Sequence, residues 1–284
     1  MSDATKTYKI LKVLNNNVIL AYDAAIQQEM VLVGKGVGFG CKADELVEID
    51  LNKIDKSFVT YDQELKNKYL QVIKELNGEV LGIGEEIIAM AEIELGALNP
   101  HIHIALTDHI GFALDRLREG LEFTNPFLDE IKILYADEFR LAIKAAELIR
   151  ARLRVELPET ELGFIALHIH SARQNKKISE TVKSTFLLKQ LVGIVERELK
   201  RKIDPQDVSY TRLIYHLRFL FNRMEKNKKV KNPLFDAIRN EFRDSYLLAQ
   251  KLAKQIEARL NISVNEDELG YITLHLQRLK ENIL

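Results

Sequence analysis

Blocks of sequence recur at one fixed distance along this chain, and that repeat limits its possible folds more than any other feature. Leu106-Thr107-Asp108-His109-Ile110 returns as Leu213-Ile214-Tyr215-His216-Leu217, and Asn125-Pro126 returns as Asn232-Pro233. Glu161-Leu162-Gly163-Phe164-Ile165-Ala166-Leu167-His168-Ile169 returns as Glu268-Leu269-Gly270-Tyr271-Ile272-Thr273-Leu274-His275-Leu276. Arg116 pairs with Arg223, Tyr135 with Phe242 and Ala142 with Ala249, and every pair stands 107 positions apart. A constant register without gaps means two copies of one domain, each near the commonest size for an independently folding unit. The boundary between them falls near Ser171 to Ser179, where Arg173-Gln174-Asn175-Lys176-Lys177 is polar enough to be a linker.

The residues ahead of the repeat have a different character. Tyr8-Lys9-Ile10-Leu11-Lys12-Val13-Leu14, Val18-Ile19-Leu20-Ala21-Tyr22 and Glu29-Met30-Val31-Leu32-Val33 are β-rich runs. They are broken by Asn15-Asn16-Asn17 and by the glycine-rich Gly34-Lys35-Gly36-Val37-Gly38-Phe39-Gly40, the pattern of a small antiparallel meander. Beyond residue 60 apolar positions recur at helical spacing almost to the C-terminus. The expected fold class is therefore multidomain: a small antiparallel all-β domain over 1–60, then two homologous all-α helical bundles over 67–172 and 173–284. A length of 284 residues accommodates this plan.

Composition narrows the setting. Hydrophobic content of 46% and charged content of 29% are those of an ordinary globular protein, with no long apolar run and no signal-peptide core. The single cysteine, Cys41, has no internal partner, which fits a reducing compartment, and a cytoplasmic location is expected. Net charge is −1, and residues 1–60 hold seven Lys against eight Asp or Glu. Any nucleic-acid contact there must come from a local patch, from shape and from stacking.

Of seven histidines, four pair across the repeat: His109 with His216 and His168 with His275. At 100° per residue His109 shares a face with Ile102, Ala105, Leu106, Phe112, Ala113 and Arg116, and His216 shares one with Leu213, Phe219, Leu220 and Arg223. His168 follows Glu161 by two turns, as His275 follows Glu268. Histidines on apolar helix faces are often satisfied core or interface residues; here two per copy persist while most neighbouring positions differ. Metal binding is one chemistry open to them, but His101/His103 and His168/His170 lie two apart, on opposite sides of a helix. Catalysis would need a nucleophile elbow, a phosphate loop or a dinucleotide fingerprint, and none is present. The glycine-rich stretch lacks the Lys-Ser or Lys-Thr and helix start of a phosphate cradle. The third chemistry is reversible phosphorylation. An imidazole of near-neutral pKa accepts a phosphoryl group, which adds close to two negative charges that Arg116 or Arg223 can receive.

These motifs together resemble the BglG/SacY family of transcriptional antiterminators, most nearly its glucose-type members. The resemblance spans the whole chain and rests on Lys12 to Val18, Val33 to Gly40, Leu106 to Ile110, Gly163 to His170 and Tyr271 to Leu276. It implies an N-terminal co-antiterminator domain that dimerises and binds a hairpin in leader messenger RNA, blocking a competing terminator. It also implies two regulation domains of the sugar phosphotransferase system, phosphorylated at His109 and His168 in the first and at His216 and His275 in the second. The resemblance further implies that the sugar permease (enzyme II, of glucose type) acts on the first domain, and the phosphocarrier HPr on the second. Carried over residue by residue, the RNA contacts are Lys12, Asn17, Gly34, Lys35 and Phe39. Asn17 can read base edges, Phe39 can stack, and the lysines can meet phosphates. Family members often carry arginine where this chain has Lys35, so a bidentate contact is exchanged for a point charge. Asn15 and Asn16 read as hairpin-turn residues, and a core position for Phe39 is the alternative to stacking. No metal, cofactor, catalytic residue or membrane insertion is expected. Two rival readings are a DNA-binding activator with the same regulatory domains and, more remotely, a histidine-dependent metalloprotein. The β-rich first 60 residues disfavour the former.

Overall fold

The computed structural model describes residues 5–59, 63–121, 123–226, 228 and 230–283. Among these residues five strands form one antiparallel sheet: β1 (Thr5–Asn15), β2 (Val18–Asp23), β3 (Gln28–Val33), β4 (Leu46–Asp50) and β5 (Lys56–Val59), in the order β4-β1-β2-β3-β5. Eleven α-helices follow among the described residues: α1 (Gln63–Glu75), α2 (Gly78–Leu95), α3 (Ile102–Arg118), α4 (Leu128–Leu134), α5 (Ala136–Leu153), α6 (Glu159–Arg173), α7 (Ile178–Leu199), α8 (Val208–Glu225), α9 (Phe235–Glu241), α10 (Arg243–Leu260) and α11 (Glu266–Ile283). Among the described residues the sequence expectation of a β module followed by helices is met. No helix among them is long and apolar enough to cross a membrane.

The chain divides into two compact units, one of Met1–Asn125 with Asp137–Ile178, the other of Pro126–Ala136 with Ser179–Leu284. In the first unit the inner strands β2 and β3 are buried on both faces, which is why they read as near-continuous apolar runs. Tyr8, Ile10, Ile19, Ala21, Met30 and Leu32 pack on one face with Val37 and Ile49. Leu14, Val18, Leu20, Val31 and Val33 pack on the other, against Tyr69 and Val72 of α1 and Leu81 and Ala89 of α2. Strands β2 and β3 contribute alternate residues to the two faces, as the pleat requires, while register shifts in β1 put Leu14 on the face opposite Tyr8 and Ile10. Helix α2 starts where the Asn77 side chain accepts from the Glu79 amide at 2.8 Å and stops at Gly96, whose φ of 87° suits only glycine. Helix α3 packs on α2 and α6.

The second unit builds its core from α8, α10 and α11, with α9 against α10 and α11. Asp207 caps α8 by accepting from the Ser209 amide at 2.6 Å, and α10 ends on Asn261 in the left-handed region. Helix α4, which the repeat equates with α9, belongs to this unit and packs on α8. There Glu130 is fully buried, accepts from the Tyr210 hydroxyl and pairs with Lys189 at 3.0 Å. Tyr215 and Arg218 donate to the carbonyls of Ile133 and Leu134, tying off the C-terminal end of α4.

Candidate regulatory histidine pairs and RNA-reading edge

The repeat places each pair of histidines on two facing helices. In the first copy His109 comes from α3 and His168 from α6, and their rings stack with centroids 4.9 Å apart at an interplanar angle of 28°. In the second copy His216 of α8 and His275 of α11 stack at 3.3 Å and 18°. The arginine two turns beyond each first histidine finds the glutamate two turns before each second one. Arg116 donates to Glu161 at 2.8 Å. Arg223 grips Glu268 with two bonds, Nε to Oε1 at 2.7 Å and Nη2 to Oε2 at 2.6 Å. Both carboxylates are buried, so each cross-link neutralises a charge that could not stand alone.

The copies differ in how they use the glutamate. Arg116 takes only Oε1 of Glu161, and Oε2 lies 3.3 Å from Nε2 of His109, at ion-pair distance but without hydrogen-bond alignment. Arg223 takes both oxygens of Glu268. His216 is left exposed beside the cavity that it lines with Leu213, Arg223, Glu268, Tyr271 and His275. Burial pushes the Glu161 carboxyl up, but the proximity of His109 and Arg116 outweighs it and holds the group below the ordinary carboxylate range. Burial, followed by the charge of His109, lowers His168 to about 3. Burial, followed by His216, Arg278 and Arg212, lowers His275 to about 4. His216 is also lowered, by burial and then by Arg223, Arg278 and Arg212. The second ring of each pair is therefore neutral at physiological pH, with a nitrogen lone pair available to attack phosphorus.

These depressed values set a pH dependence. Between the ordinary imidazole value of 6.5 and the folded values near 3 and 4, the unfolded chain binds protons that the folded chain does not. The contribution of these two rings to stability is thus expected to fall as pH is lowered from 6.5 toward 3, and to level off below. His103, raised because the charge of Glu85 outweighs its burial, acts in the opposite sense, losing its contribution as pH rises above 6.5. A proton NMR titration checks the assignment: the His168 and His275 ring resonances should stay flat from pH 8 to 5, and a midpoint near 6.5 for either would refute it.

The histidines without a counterpart have other occupations. His103 contacts the buried Glu85 at 2.7 Å, and Glu85 also accepts from Tyr69 at 2.7 Å. His170 meets the buried Glu138 at 2.9 Å beside Arg173. In the second copy that place is taken by a neutral pair, Ser245 donating to Gln277 at 2.8 Å. His101 is exposed just before α3. No cluster of His, Cys, Asp or Glu among the described residues could hold a metal ion.

At the N-terminal sheet the Asn16-Asn17 turn and the glycine-rich loop are bonded to each other. The Gly34 amide donates to the Asn17 carbonyl at 2.9 Å, Gly36 to the Asn17 side chain at 3.0 Å, and Gly38 to the Asn16 carbonyl at 3.0 Å. These bonds bring Asn17, Gly34 and Lys35 together. Phe39 is 77% exposed, so it is not a core residue. Lys12 stands on β1 opposite Leu20. Gly34 and Gly38 have steric reasons to be glycine: an added Cβ would lie 1.9 Å from the Lys53 carbonyl oxygen and 2.2 Å from that of Asn15. Sequence reasoning missed one residue here. Glu86 of α2 accepts from Asn15 Nδ2 and from Asn17 Nδ2, each at 2.9 Å.

The described residues thus combine a sheet with a polar turn-and-loop edge and two copies of a helical domain, each holding a stacked histidine pair. A CAT RNA binding domain matches residues 8–67, and a PRD domain matches twice, over 92–172 and 189–279. The chain belongs to the family of transcription antiterminators that join these domains. The PtsGHI operon antiterminator of Bacillus subtilis (strain 168) is 38% identical to it over 280 residues, 98% of this chain and 99% of that protein. Transcription antiterminator LicT of the same organism is 32% identical over 95% of this chain and 98% of its own length. A crystal structure of GlcT CAT-PRDI superposes with a TM-score of 0.50 at 38% identity, covering 60% of this chain and all of that one.

Proposed function

We propose that the chain binds a hairpin in the leader of a sugar-operon messenger RNA and prevents the terminator from forming, under control of phosphorylation at His109, His168, His216 and His275. The stacked histidine pair beside a buried Glu–Arg cross-link in each helical copy carries this reading. A phosphoryl group on His109 would bring close to two negative charges to the oxygen of Glu161 that already lies 3.3 Å from the ring. It would then compete with Glu161 for Arg116, the cation that ties α3 to α6. Breaking a buried ion pair costs on the order of 3 kcal/mol, enough to move a two-state equilibrium more than a hundredfold. Arg223 stands in the same relation to Glu268 and the second pair.

The partners follow from this reading. The phosphoryl donors are the glucose-type sugar permease for the first copy and the phosphocarrier HPr for the second, a reading supported by the relatives named GlcT and PtsGHI operon antiterminator. The RNA contacts are Lys12, Asn17, Gly34, Lys35 and Phe39, and two sheets pair in a homodimer to make one symmetric platform. The exposed Phe39 and the exposed Leu46 on edge strand β4 support an apolar surface available for stacking and pairing. Phosphopeptide mapping after incubation with the phosphotransferase cascade tests the assignment. Phosphate is expected on the four paired histidines, and label confined to His101, His103 or His170 would overturn it. Antitermination is likewise expected to drop in His109→Asp, measured with a terminator-reporter fusion. Unchanged readthrough would count against an inhibitory role for the first copy.

A further inference from the structure

We infer that helix α2 is a built-in competitor for RNA, with the Glu86 carboxylate occupying the side-chain amides that would otherwise read the hairpin. This rests on the assignment of Asn17 as an RNA-reading residue. Glu86 spends one oxygen on Asn15 Nδ2 and the other on Asn17 Nδ2, while Arg152 of α5 stands 3.3 Å away and balances its charge. The carbonyl end of the Asn17 amide is engaged by the Gly36 amide at 3.0 Å. The oxygen that Glu86 gives to Asn17 Nδ2 is an acceptor of the kind a base edge presents, such as a ring N7, so Glu86 takes the place a base would. It is also anionic, and together with Glu94 and Asp55 it borders the groove that contains Asn17, Gly34 and Lys35. A phosphate backbone approaching Lys35 would meet these charges. The Glu86 side chain is only 14% exposed, so its bond to the Asn17 amide is largely shielded from water, and RNA must displace the carboxylate to take that amide.

The repeat shows that this docking surface is specific to the copy that follows the sheet. An added Cβ on Gly82 would lie 2.2 Å from Asn15 Nδ2, and one on Gly78 would lie 3.2 Å from the Leu14 carbonyl oxygen, so the two glycines admit the end of β1. At the equivalent positions of α7, 107 residues on, stand Thr185, Lys189 and, in place of Glu86, Gly193. The absent side chains and the carboxylate thus occur together, and only where there is an RNA-reading turn to receive. Leu14, Val18 and Val33 packed with Leu81 and Ala89 hold the turn in place beneath Glu86.

The test uses the full-length chain and a stem–loop RNA selected from a randomised pool on the wild-type protein, with affinity read by fluorescence anisotropy. Glu86→Ala is expected to bind about tenfold more tightly, within the usual range for coupling between two sites. Glu86→Gln keeps the volume, loses the charge and should shift in the same direction, which covers a fold defect in the first variant. Asn17→Ala is expected to lose binding. If both Glu86 variants bind as wild type while Asn17→Ala loses binding, the competitor role fails and the RNA-reading assignment stands. Weaker binding in both Glu86 variants would also overturn the proposal, since Glu86 would then be preparing Asn17 for RNA. Unchanged binding in Asn17→Ala would overturn the RNA-reading assignment and the competitor with it.

Discussion

Replacing Arg223 by alanine is expected to destabilise the second unit by about 3 kcal/mol, because it strands the Glu268 carboxylate in the interior. Glu268 is 2% exposed and receives both of its arginine bonds from this one side chain. Exposed pairs such as Lys251–Glu198 should contribute well under 1 kcal/mol by comparison. A chain of two compact units need not unfold in one step, so hydrogen exchange resolved by helix is the appropriate measurement. Protection should fall in α8 and α11 and stay unchanged in α3 and α6. A loss below 1 kcal/mol in α8 would show that Glu268 finds another partner or protonates at little cost. Arg116→Ala should cost less, since Arg116 holds only one oxygen of Glu161.

A second large effect is expected at Gly34. The Cβ of Gly34→Ala would lie 1.9 Å from a backbone oxygen, that of Lys53, which cannot swing aside as a side chain can. Either β3 or the turn at residues 51–53 must shift, at a cost of about 3 kcal/mol, and the Asn17–Gly34 bond that shapes the RNA-reading edge is strained with it. Gly36 offers the control. Its φ is +75° and an added Cβ meets nothing within 4 Å, so Gly36→Ala should cost only about 1–2 kcal/mol, from backbone conformation alone. Urea unfolding followed through the sheet, with RNA binding measured in parallel, separates two roles for Gly34. A Gly34→Ala chain of wild-type stability that fails to bind RNA would assign the glycine to RNA contact and not to packing.

The duplication carried much of the architecture into plain view. A fixed offset of 107 residues announces two like domains before any helix is drawn, and helical spacing puts Arg116 on the face of His109 and Glu161 on the face of His168. What spacing cannot state is that Arg116 meets Glu161 before any phosphate arrives, because that depends on the crossing of α3 and α6. The apolar runs Val18 to Ala21 and Met30 to Val33 signal a sheet covered on both faces, but not that α1 and α2 supply one cover. Glu86 was hidden for a related reason: one acidic residue on an amphipathic helix reads as a solvated face, and only the docking of the sheet turns it inward. The comparison that would have exposed it is the divergence between copies, Glu86 against Gly193, where attention to what the copies share looks past it.

Helix α4 has a consequence for the integrity of the chain. Backbone passes from the first unit to the second near residue 125, returns near 137 and leaves again near 178. A protease that nicks the polar connection at residues 174–177 would therefore not release two separate fragments. The N-terminal piece would still hold residues 126–136 threaded into the other through Glu130, Tyr135 and the carbonyls of Ile133 and Leu134. The nicked protein would travel as one particle, its halves latched by a segment that belongs by sequence to one and by packing to the other.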